Sequence, residues 1–153
     1  MNGSASMSGS ASMSGSGPVD VARRFVDAVA WGEHTTVWEM LSSHARLAVL
    51  DVAERRGLDP RRAARLREGT AADDERDEFL ADLVHGLQSE LVGFDVDAVG
   101  YTQVGNGTTV TGSVLVDLLT ELPAALGAPV AVATVELVDE AGRCAVVRLD
   151  ARR

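Results

Sequence analysis

The sequence predicts an α+β fold in which a helical half comes first and an antiparallel sheet follows and curls over it. Three observations predict it. Apolar residues recur at helical spacing from Pro18 to Leu91, the period changes from about 3.6 to 2 after Gly93, and two β-branched stretches beyond that point each fold back at a Gly-bearing turn.

The first helix is expected from Pro18 to Trp31. Val21, Phe25, Ala28 and Val29 fall on one stripe, with Arg23, Arg24 and Asp27 turned away. Pro18 suits a first helical position because its φ is already helical, and Gly32 suits a left-handed terminating residue. A second helix is expected to start at a capping box, Thr36 with Glu39, and to run unbroken towards Gly57 on an apolar face of Val37, Met40, Leu41, Ala48 and Val52. So short a joint makes the two helices double back on each other. Asp59 and Pro60 form an N-cap and first-turn pair for a short third helix, whose Arg61, Arg62, Arg65 and Arg67 are the chain's basic cluster. It reads as a solvated face balanced by Asp73, Asp74, Glu75, Asp77 and Glu78, or as a docking surface for an acidic partner. The fourth helix, from Asp74 to Leu91, carries Phe79, Leu80, Leu83, Val84, Leu87 and Leu91 on its apolar face, and its acidic first turn suits the positive end of the helix dipole.

In the second half, residues 94–104 alternate as a strand, Gly105-Asn106-Gly107 makes a turn, and Val110, Val114 and Val116 alternate on the return. A second hairpin is expected over 130–149, turning at Asp139 to Gly142. Between the hairpins, Pro123 and Pro129 bracket a loop or a single helical turn. Residues 1–17 repeat Met-Ser-Gly-Ser without charge and read as a flexible tail ahead of a single domain over 18–153.

Composition excludes several classes. The net charge is −9 and all 14 basic residues are arginine, a balance that opposes binding to a phosphate backbone, so no nucleic-acid partner is expected. With 46% hydrophobic residues the chain can bury a core, yet no uninterrupted apolar run has membrane-spanning length. Cys144 is the single cysteine, which excludes an intrachain disulfide and fits a cytoplasmic location. Its alternation with Val146 predicts a buried, inert thiol.

His34, His44 and His85 lack metal-ligand spacing, and no phosphate loop or nucleophile elbow is present; neither a metal nor a cofactor is expected. His44 lies at the border of an apolar face and is a candidate hydrogen-bonding or acid–base group. Asp95, Asp97, Val99 and Tyr101 share one face of an expected strand. There the two carboxylates would stand about 7 Å apart, on a solvent-facing side or in the lining of a pocket. Asp51, late in the second helix, is a further acidic candidate. Trp31 and Trp38 either clamp the opening helices or form an apolar pocket wall with one N–H donor each.

The opening segment, through Ala22, Phe25 and Ala28, then Gly32-Glu33, then Trp38, Leu41 and Ser42, resembles the first two helices of the nuclear transport factor 2-like superfamily, in its actinobacterial form. The resemblance implies N-terminal helices packed in the concave side of a curved antiparallel sheet, leaving a cone-shaped pocket. It also implies homodimers formed through the exposed sheet face. Members include steroid isomerases, epoxide hydrolases, polyketide cyclases and many non-catalytic proteins. The first helix here lacks the tyrosine of the isomerase pattern, no Arg-Asp-Asp constellation of the hydrolase kind aligns, and the closing strand has Cys144 near a place where relatives often carry tryptophan.

These readings lead to one expectation and two alternatives. The expectation is a non-catalytic domain that binds a small apolar ligand against Trp31, Trp38 and Tyr101, or serves as a dimeric accessory protein. The first alternative is a cofactor-independent isomerase, cyclase or hydrolase, with Asp51, Asp95 or Asp97 as base and Tyr101 or His44 as donor. The second is an interaction module that docks through the Arg61–Arg67 helix.

Overall fold

Helix α1 spans Pro18–Ala30, with the proline in its first turn, and buries Val21, Ala22, Phe25, Val26, Ala28 and Val29. Its end is tied down from two directions. Gly32 takes a φ of +72°, which lets the Glu33 amide donate back to the Ala28 carbonyl at 2.8 Å, and Gln88 Nε2 donates to the Val29 carbonyl at 3.0 Å. The structure, a computed structural model, describes residues 17–93, 95–105, 112–120, 127 and 129–152. The expected tail up to Ser16, Phe94, the Asn106-Gly107 turn, Val110 and Pro123 lie outside the described residues.

The single second helix expected up to Gly57 is two helices, α2 over His34–Met40 and α3 over Ser43–Arg55. Glu33, without a side-chain cap bond, precedes α2, so Thr36 lies inside the helix and its expected capping box does not form. The interruption has a tertiary cause. Leu41 is extended and bridges Val146 of the last strand in parallel, and the Ser42 amide donates to the Val146 carbonyl at 2.8 Å. Ser42 Oγ then accepts from the Ala45 amide at 3.0 Å and caps α3. Restarting the helix rotates its apolar face. Ala45 and Leu50 are buried, whereas Ala48 and Val52, expected in the core, are exposed.

Both ends of this joint are neutralised. Arg143 donates to the carbonyls of Glu39 (2.6 Å) and Leu41 (3.3 Å), and Arg46 donates to those of Trp38 and Glu39, both at 3.0 Å. Across the joint, the Glu140 carboxylate accepts from the Ser43 amide at 2.8 Å and its hydroxyl at 3.1 Å. Cations at the closing end of α2 and an anion at the opening end of α3 match the two helix dipoles.

Helix α4 covers Pro60–Glu68, capped by Asp59 at its start and left through Gly69 at φ +77°. Helix α5 covers Asp73–Glu90 and carries three acidic residues in its first turn, as expected. A 3-10 turn over Val96–Ala98 leads into β1 (Val99–Gln103), β2 (Ser113–Thr120), β3 (Val130–Glu140) and β4 (Arg143–Ala151). The four strands pair antiparallel in chain order as an open sheet. Register shifts at Leu118/Leu119 and Glu136/Leu137 mark bulges, each of which bends and further twists its strand. The last hairpin is tighter than the four-residue turn expected. Glu140 pairs with Arg143, leaving Ala141 (φ +54°) and Gly142 (φ +81°) as a two-residue loop whose positive-φ backbone matches the right-handed twist of the strands it joins.

The α+β layout is therefore as expected, and α1 lies across the inner face of the sheet in contact with all four strands. Val116, Leu118, Ala133, Val135, Leu137 and Val146 meet Phe25, Val26 and Val29 in the main core. A second cluster of Leu50, Phe79 and Leu80 lies between the helices. Half-buried Trp38 packs against both clusters and meets Phe79 edge-on at 5.9 Å between centroids.

Candidate functional site

The inner face of the sheet is buried against α1. Phe25, Val26, Val29, Val116, Leu118, Val135 and Leu137 are each at most 1% exposed and pack in one cluster between α1 and the sheet. Two wide clefts open elsewhere. One lies between the end of α5 and the sheet end at Thr120 and Ala151; the other lies between α1, α2 and the tip of the last hairpin.

The sequence-predicted site residues are dispersed. Trp31 is 75% exposed at the end of α1, because α1 closes at Ala30 and Gly32 turns the chain away from the core; it clamps no helices together. Trp38 packs between the clusters. His44 is exposed on α3. Asp51, also exposed, faces Arg67 across 3.8 Å. Asp95 and Asp97 do not share a strand face with Tyr101, because Asp95 Oδ1 accepts from the Asp97 amide at 3.0 Å and holds the chain in the 3-10 turn. The strand starts only at Val99.

Tyr101 gathers the most polar surroundings of these residues. Its ring packs against the core, and its hydroxyl is buried with no hydrogen-bond partner among the described residues. The Arg23 guanidinium lies 5.0 Å from the ring centroid. Burial, then the negative charge of Asp27, pushes the phenol up to about 12, with Arg23 opposing and Asp97 adding to the rise. Arg23 and Asp27 were read from the sequence only as an outward face; their i, i+4 spacing was the signal that both could flank one neighbour. A raised phenol pKa means that the neutral form is favoured by folding. That contribution is complete below the unfolded value near 10 and is lost as pH rises through about 12. Because Tyr101 is the only tyrosine, ultraviolet titration of the native protein should show one phenolate midpoint near 12 that returns to about 10 in denaturant.

The arginine helix is engaged within the chain. Arg65 grips Glu75 through two bonds of 2.9 and 2.6 Å. Arg62 donates to the Glu75 carbonyl at 2.9 Å and to Glu78 at 3.0 Å, and Arg67 reaches Glu54 at 2.7 Å. The hydrogen bonds from Arg65 hold the Glu75 carboxyl below its usual range. A depressed carboxyl stabilises the fold above the unfolded value of about 4.3 and ceases to do so as pH falls through the lower native value. Glu75→Gln should therefore lower the urea midpoint at neutral pH and flatten its decline between about pH 5 and 3, read by circular dichroism.

The outer face of the sheet carries cross-strand rows of polar and apolar residues. Asp117, Thr134 and Asp150 stand in one cross-strand row, and Leu115, Glu136 and Arg148 in the next. The charges there satisfy one another. Thr134 donates to Asp117 at 2.7 Å, Arg152 to Asp117 at 3.2 Å, and Arg148 contacts Glu136 at 2.9 Å and Asp150 at 3.0 Å. Around them lie Leu115, Leu119 and Val138, partly exposed residues that belong to neither core cluster among the described residues.

Among the described residues no three His, Cys, Asp or Glu side chains converge as metal ligands, and no helix is long and apolar enough to cross a membrane. Compared with models of protein families, with curated proteins and with solved structures, the chain matches none.

Proposed function

We propose that this is a non-catalytic domain of the nuclear transport factor 2-like kind, acting as a dimeric accessory protein that self-associates through the outer face of its sheet. One observation carries the reading. The outer face presents Leu115, Leu119 and Val138 around charges already paired within the same sheet, so a second copy can cover it without stranding an ion. Burying an unpaired charge costs several kcal/mol, whereas a pair that enters an interface with its hydrogen bonds made avoids most of that cost. A two-fold arrangement places the same patch on both partners, as closed homodimers require. The small-ligand and enzymatic alternatives draw less support: Phe25 and its neighbours are buried between α1 and the sheet, and Asp51, exposed on α3, is far along the chain from the exposed Asp95–Asp97 turn. Light scattering on the eluting gel-filtration peak tests the reading. A mass twice the 16.1 kDa of the chain is expected; a single-chain mass at every concentration from about 1 μM to 1 mM, the range in which weak interfaces dissociate, would overturn it.

A further inference from the structure

The cleft at the hairpin end is separate from the outer sheet face, and its lining is unusual for this chain. It is an open cleft of about 430 Å³ between α1, α2 and the tip of the β3–β4 hairpin, within the size range of small-molecule sites. Val21 and Met40 give it a buried apolar floor. Arg24 and Glu39 both line it, yet no ion pair or side-chain hydrogen bond holds either charged group among the described residues. The backbone carbonyl of Glu39 is engaged, by Arg46 and Arg143, which fixes the start of its side chain; the carboxylate acts on Arg46 through space but makes no ion pair or hydrogen bond among the described residues. Arg143, at the same mouth, is committed to the α2–α3 joint and to Glu140. Elsewhere the arginines beside acidic groups close onto them, as Arg65 does on Glu75 and Arg152 on Asp117.

An acid and a base that share a cleft without meeting are complementary to a molecule that carries both charges. We propose that this cleft binds a free amino acid with an apolar side chain. Its carboxylate is held by Arg24 in the forked geometry guanidinium favours, its ammonium by Glu39, and its side chain lies on Val21 and Met40, with the Thr36 hydroxyl on the same wall. Arg24 stands one turn after Val21 on α1, at the edge of the core stripe, and Thr36 and Glu39 are one helical turn apart on α2. The two helices that carry the recognition are thus set against each other by the Gly32 turn. Because the charged groups are solvent-accessible, affinity should be modest, a Kd of about 1 mM.

Isothermal titration of the full chain with L-leucine tests this, using isocaproate, which lacks the ammonium, and isoamylamine, which lacks the carboxylate, as comparison ligands. Leucine should bind, and each comparison ligand should bind at least about tenfold more weakly. Arg24→Ala and Glu39→Gln should each weaken leucine about tenfold, while Arg61→Ala, on α4, leaves it unchanged. Both lining residues are exposed, so the variants are expected to fold, and circular dichroism checks that they do. No saturable leucine binding below about 10 mM, isocaproate binding as tightly as leucine, or unchanged binding by Arg24→Ala would each overturn the proposal.

Discussion

Phe25→Ala should destabilise the protein by about 3–5 kcal/mol, the usual cost of removing a buried aromatic ring. The side chain is 1% exposed and lies where α1 crosses the sheet, in one cluster with Val116, Leu118, Val135 and Leu137. The chain has only three phenylalanines, so few large residues share the work of filling that space. The lost volume would leave a cavity between a rigid helix and a hydrogen-bonded sheet, neither of which can collapse readily onto it. Against a total stability of about 5–15 kcal/mol, the loss is a large fraction. Urea unfolding followed by circular dichroism should show a strongly reduced midpoint, and Phe25→Leu, which keeps most of the volume, should cost less than half as much. A midpoint for Phe25→Ala within error of the parent protein would mean that α1 does not fill the inner face.

Leu115→Arg should weaken self-association by about 3 kcal/mol, roughly a hundredfold in Kd. Leu115 stands opposite Glu136, and Glu136 is already paired with Arg148 at 2.9 Å. A new guanidinium at Leu115 would therefore enter the dimer without a free acceptor, and its cost would fall on the associated state alone. In the monomer the same side chain extends into water, so the unfolding midpoint of dilute protein should scarcely move. Leu47→Arg is the matching control: Leu47 is 46% exposed, but on α3, and the association constant should be unaffected. Sedimentation equilibrium over a dilution series separates the two variants.

What could be read from the sequence was local. The stripe of Val21, Phe25 and Val29 between Pro18 and Gly32 contains both the buried face of α1 and its limits, and α5 announces itself in the same way through its acidic first turn and the spacing of Phe79, Leu80 and Val84. The change of period at Gly93 marked the passage to the sheet. What could not be read was set by distant partners. The break at Leu41-Ser42 depends on Val146 in the final strand, although Ser42, three residues before the amide it accepts from, carried a cap signal that the longer apolar pattern concealed. Asp95 was read as strand because alternation outweighed its capacity to fold back on the Asp97 amide, a common habit of aspartate before a turn. With Asp97 in that turn, the acidic strand face expected beside Tyr101 does not form; Arg23 and Asp27 of α1 flank the residue, and Asp97 acts on it more weakly. The packing of α1 on the sheet was legible only in part. Periodicity tells which side chains point inward, but not whether they meet.

The central claim is that the inner face of the sheet is closed by α1 and the outer face is the surface that remains for a second copy. Hydroxyl-radical footprinting at rising protein concentration tests it most directly. The account predicts that oxidation of Leu115, Leu119 and Val138 falls as concentration rises, while that of Leu47 and Trp31 stays constant. Concentration-independent labelling of the three sheet residues, or protection appearing at Leu47 instead, would contradict it.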